Sequence, residues 1–193
     1  MSTSHAAPQR YAFPLRILHW LMALGFLFMW GCGFAMTNLV PEDSAWEETL
    51  FGLHISVGVT LIAFLATRLL IRMRTQHPDL PADMAPPERK LAHVAHIALY
   101  LVPALVMAAG WAEVDLGGHG VTWFGIPMPQ IFPASLVPNI AEPEEIAELL
   151  HLWLAYGMLA LVLGHILAVV KHKLIDGHNL LPRISLGKNQ DNG

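Results

Sequence analysis

Apolar residues run nearly unbroken through four stretches of the chain, at about 15–37, 51–71, 91–111 and 148–170, and polar residues gather between them. A helix needs roughly 20 apolar residues to cross a hydrocarbon core about 30 Å thick, so each stretch predicts a transmembrane helix. The expected fold class is all-α: an integral-membrane, up-down four-helix bundle, with residues 1–193 forming one membrane domain. The first stretch is longer than the h-region of a signal peptide and lacks a clear small-x-small exit, so it reads as a retained span.

The connections differ in kind. The one at 73–90, containing RTQHPDLPADMAPPER, is proline-rich and polar, an extended connector. The one at 112–147 mixes Gly and Pro with Trp, Phe and Ile, for which a solvated linker has no use, so it is expected to fold as an outer lid against the helix ends.

Charge sets the orientation. All 11 Lys and Arg lie in the N-terminal arm, the 73–90 connection, the C-terminal tail or the helix ends beside them. Ten acids, Glu42, Glu113, Asp115 and Glu148 among them, occupy the other two connections and the start of the fourth helix. By the positive-inside rule both termini are cytoplasmic. Composition agrees with a membrane solvent, because 54% hydrophobic residues, 13% charged residues and a mean hydropathy of +0.48 lie outside the range of soluble domains. A net charge of −4 with no basic stripe leaves no footprint for nucleic acid. The single cysteine, Cys32, lies inside the first span, and there is no C-x-x-C-H for covalent haem attachment.

Histidines change the picture from a plain bundle to a candidate cofactor protein. His19 enters helix one from the cytoplasmic side and His54 enters helix two from the outside. On helix four His151 and His165 are 14 residues apart, nearly four turns, so they leave the same face roughly 21 Å apart. Two levels result: His54 with His151 outside, and His19 with His165 inside. A facing pair at each of two levels is what two stacked bis-histidine haems require of a bundle. An unpartnered imidazole in hydrocarbon is costly, and ionisable groups there are by default functional. Gly58 and Ala155, each four residues after a histidine, offer room beside the ring, a cue shared with ordinary membrane helix contacts. Zinc or copper is the chemical rival, but His151 and His165 cannot meet at one ion, and the nine methionines are scattered.

Further polar residues cluster near the inner boundary. Arg68 lies 14 residues after His54, at the level of an inner haem propionate. His93, His96, Arg72 and His172 are the candidates for contacts to a quinone. Each has a plainer reading as a snorkelling arginine or an interfacial histidine.

With LRILHWLMALGF, FGLHISVGVTLIAFLATRLLIR, LAHVAHIALYL, WFGIPMP and LHLWLAYGMLALVLGHILAVVKHKLIDGHNLLPRI in this order, residues 10–184 resemble the bacterial cytochrome b561 family. That resemblance implies a multi-pass protein of the bacterial inner membrane, two non-covalent b haems, and axial ligands at His19, His54, His151 and His165. It also implies quinone-linked electron transfer, and some members are similar to superoxide:ubiquinone oxidoreductases. Superoxide is an anion whose capture a positive funnel would speed, yet neither outer connection holds a Lys or Arg. The outer partner expected is therefore a basic periplasmic electron-transfer protein such as a c-type cytochrome. Two other readings stand beside this one: a cytochrome b anchor subunit of a larger dehydrogenase or hydrogenase, and a metal or solute transporter.

Overall fold

The computed structural model describes residues 9–187, so His5 and Lys188 lie outside it. It contains four long helices, α1 (Phe13–Asn38), α2 (Ala45–Arg74), α3 (Pro86–Leu116) and α4 (Pro143–Leu174), each long and apolar enough to span a membrane. Their starts are chemically marked. Prolines occupy the first turns of α1, α3 and α4, where a missing N–H costs nothing. Ser44 Oγ caps α2 by accepting from Glu47 N at 3.1 Å. Glu47 and Glu48 then sit at the positive end of the α2 dipole, with Arg72 and Arg74 at its negative end.

Each helix overruns its apolar stretch. Glu113 and Asp115 stay helical because the interface, unlike the hydrocarbon, tolerates charge without ending the helix. The long connection is consequently residues 117–142 rather than 112–147. It carries a two-stranded antiparallel hairpin, Thr122–Trp123 with Ile126–Pro127. Phe124 (φ 47°) and Gly125 (φ 83°) both adopt the left-handed region at its turn, as a two-residue type I′ hairpin requires. The connection is tied down at two places. Trp123 Nε1 donates to Thr60 Oγ1 at 3.1 Å and Phe124 N to Ser56 Oγ at 2.9 Å, both on α2. Asp115 Oδ2 on α3 accepts from Ile131 N at 2.7 Å and Phe132 N at 3.0 Å.

The helices form two hairpins. α1 packs along α2, and α3 packs more extensively along α4, while α2 and α3 meet over a shorter stretch. Met22, Leu61, Leu65 and Met107 make the buried centre, with Phe26, Met29, Val57 and Tyr100 around it. Large apolar side chains such as Leu24, Leu27, Leu101, Trp153 and Leu167 face outward, as lipid-facing residues should. At the end rich in Lys and Arg the two arms of the chain join: Tyr11 N bonds Arg183 O at 3.1 Å, Arg16 Nη1 bonds Ser185 O at 2.6 Å, and Trp20 Nε1 bonds Ile184 O at 3.0 Å. Trp20 thus has a partner as well as an interfacial depth.

Candidate functional site

At the acidic end, His54 of α2 and His151 of α4 face each other across the two hairpins, their ring centroids 6.0 Å apart and their planes at 81°. His151 Nδ1 donates to the carbonyl of Val106 on α3 at 2.8 Å, which fixes the tautomer and leaves Nε2 as the free nitrogen. His54 Nδ1 is buried and has no hydrogen-bond partner among the described residues. Two imidazoles that each placed a nitrogen about 2 Å from one metal ion, with about 1 Å from that nitrogen to the ring centre, would have centroids roughly 6 Å apart, which is the spacing of this pair. Of the two small residues noted beside the histidines, Gly58 turns toward α1 instead: its Cβ position lies 3.5 Å from Met29 Cε.

At the basic end the arrangement is more crowded. Arg68 Nη1, which can only donate, reaches His19 Nδ1 at 3.2 Å, and Arg68 Nε reaches Tyr100 Oη at 3.2 Å. The Arg68 guanidinium also lies 5.8 Å from the Tyr100 ring, and that of Arg72 lies 5.8 Å from Tyr100 and 5.9 Å from Tyr11. His165 has His96 as its nearest ring, with centroids 6.3 Å apart, and His19 has Trp20 at 5.3 Å. His19 and His165 remain within electrostatic range of each other and of Arg68. His19, Arg68, His96 and His165 therefore make one cluster drawn from all four helices.

The four quinone candidates do not share one place. His96 and Arg72 belong to the cluster just described, and His96 Nδ1 donates to Ala92 O at 2.7 Å. His93, three residues earlier, is exposed and lines an open groove with Met84, Pro86, Arg89 and Lys90. His172 joins an ion network: its Nδ1 lies 2.7 Å from Asp176 Oδ2, and Lys171 Nζ bridges Asp176 at 2.9 Å and Glu88 at 2.6 Å. Hydrogen bonds from Lys171, then from His172, hold the Asp176 carboxyl below its ordinary range.

Several of these partners escaped the sequence reading. Tyr100 lies one turn beyond His96, and Asp176 one turn beyond His172, so both were visible as i, i+4 neighbours. Neither the Val106 carbonyl nor the two lid anchors on α2 carries any such signal.

Comparison with known proteins agrees with this architecture. The family model described as prokaryotic cytochrome b561 matches residues 10–186. The chain is 30% identical over 184 residues to "Cytochrome b561 homolog 2" of Escherichia coli (strain K12), covering 94% of this chain and 93% of that protein. It is 28% identical over 171 residues to "Probable superoxide oxidase CybB" of Yersinia pestis, covering 86% of this chain and 90% of that protein. Four membrane-spanning helices with histidines facing each other across them, and a match along nearly the whole length, place this chain in the prokaryotic cytochrome b561 family of the bacterial inner membrane.

Proposed function

We infer that the protein is a di-haem relay that carries electrons across the inner membrane between a periplasmic partner and a quinone, with both termini cytoplasmic. The observation that carries this reading is the facing of His54 and His151 at 6.0 Å across the two helical hairpins. One-electron uptake and release is the chemistry that haem supplies when bound. His54 and His151 would hold the outer group, and His19 and His165 the inner one. His96 is nearer to His165, but it stands on α3, which packs along α4 in the same hairpin, whereas His19 stands on the opposite hairpin. Arg68 now reaches His19 Nδ1; with His19 holding a haem it would need another acceptor, and a propionate carboxylate would suit its guanidinium. Haem held by a histidine from each hairpin would supply one-electron relay rather than oxygenation. A quinone is proposed to bind at the basic end, with three separate candidate contacts there: Arg72 and His96 around Tyr100, His93 in the open groove, and His172 beside Asp176.

The absence of Lys and Arg from residues 38–50 and 112–147 leaves an anion no attractive field at the outer face and favours a basic protein as the electron donor there. The purified protein should give a reduced-minus-oxidised b-type spectrum with two haems per chain, and His54→Ala and His165→Ala should each lose one. Two haems retained by both variants overturn the ligand assignment, and a colourless protein overturns the haem reading. Quinone reduction driven by a basic c-type cytochrome should weaken with added salt. Faster, salt-independent reduction by superoxide would reverse the choice of partner.

A further inference from the structure

His151 is held by more than its own helix. In a regular helix the Val106 carbonyl accepts from the N–H of residue 110, and its second lone pair is normally shadowed by the side chain at 110, which leans back over the preceding turn. Residue 110 is glycine. A Cβ built there would stand 2.9 Å from both Cε1 and Nδ1 of His151 and 3.6 Å from Cγ, so the imidazole occupies the volume that any other residue would fill. Through that notch Nδ1–H reaches the Val106 carbonyl at 2.8 Å. The partner imidazole has no such support, since His54 Nδ1 is buried without an acceptor. Among the described residues, the hydrogen-bond support of the outer pair therefore comes from α3, a helix that supplies neither histidine.

We propose that Gly110 is a positioning residue for the outer haem: the gap it leaves in α3 lets the Val106 carbonyl orient and polarise His151 and so sets the potential of that haem alone. The proposal rests on His151 being an axial ligand. A hydrogen bond accepted from the ligand's distal N–H raises ligand basicity and favours the more positive, oxidised metal, and losing such partners commonly weakens a site 10- to 100-fold. Gly110→Ala pushes the ring off the carbonyl. The oxidised-over-reduced preference of the outer haem should fall about tenfold, an upward shift of about 59 mV for one electron.

Gly33→Ala is the matched control, because its Cβ would only touch His54 Cε1 at an ordinary 3.7 Å. The test is a redox titration of the wild type and both variants, with low-spin EPR g values of each haem. Nitrogen-15 histidine spectra of the reduced, diamagnetic protein add the tautomer of His151. The expected result is a raised potential and altered g values for one haem in Gly110→Ala, no change in Gly33→Ala, and a wild-type His151 protonated at a hydrogen-bonded Nδ1. Loss of that one haem from Gly110→Ala, with Gly33→Ala intact, is the extreme of the same effect and supports it. Unchanged potentials in Gly110→Ala, equal shifts of both haems, an equal shift in Gly33→Ala, or an unbonded Nδ1–H in the wild type each overturn it. Failure of the ligand reading is separately visible, as a His151→Ala variant that keeps both haems.

Discussion

Replacing Asp115 by alanine should free one limb of the connection between α3 and α4 without unfolding the bundle. Asp115 is 3% exposed, and its Oδ2 is the acceptor for the backbone N–H groups of Ile131 and Phe132. Bonds to an ionised acceptor contribute about 1.5–3 kcal/mol each, and an unsatisfied buried N–H costs about 1–3 kcal/mol. Once freed, the lid segment can open and give those N–H groups to water, so the cost of unsatisfied groups drops out and the lower end of the first range applies. Two such bonds then give about 3 kcal/mol, and at 1.4 kcal/mol per decade the local opening constant rises roughly 100-fold.

Amide hydrogen exchange over residues 128–134 is the direct assay. Asp115→Ala should lose about two decades of protection there. Asp115→Asn, which keeps a neutral carbonyl acceptor but buries its NH₂ where Oδ1 has no partner, should lose about one. Exchange at the hairpin should change less, because Ser56 and Thr60 still anchor it to α2. Unchanged protection over 128–134 would refute the latch. A uniform loss through α3 and α4 would refute it too, since the damage would then be global rather than local.

The second lid anchor should behave as a pair: Trp123→Phe and Thr60→Val each cost about 0.5–1.5 kcal/mol of hairpin protection, and the double variant costs no more than either alone. Additive losses in that cycle would mean the bond is not formed. On the proposed di-haem reading, Arg68→Gln removes a cation beside His19, so a haem held by His19 should lose electron affinity, its potential falling by about 59 mV for each tenfold change while the haem at His54 and His151 stays fixed; a rise would contradict the proximity of Arg68 to His19. The C-terminal clamp should be acid-labile. Asp176 is held below its unfolded range near ~3.9, so its stabilisation is complete above that value and is lost as pH falls through the lower folded value. Proteolysis or exchange at residues 175–185, followed between about pH 5 and pH 2, should show this loss, and Asp176→Asn should abolish the pH dependence.

What the sequence made legible follows the length scale of each constraint. The bilayer demands an apolar run for every span, and that demand is written residue by residue, so the four helices were plain. Their ends were not, because the interface permits polar residues such as Glu113 and Asp115 to remain helical. The facing of His54 and His151 was legible for a similar reason: 14 residues return helix four to the same face, and depth then leaves one level for each pair. The basic end defeated that logic. His96 and His93 are three residues apart on α3, yet one turns to His165 and the other to an open groove, since three residues on a helix differ by about 60° and a neighbouring helix covers only one of them. Arg68 was expected at a haem propionate, and its reach to His19 and Tyr100 depends on two other helices that no pattern on α2 encodes. Least legible of all was the Val106 carbonyl. Every residue has a carbonyl, so only its access is specific, and the residue that controls access, Gly110, records the fact by having no side chain at all.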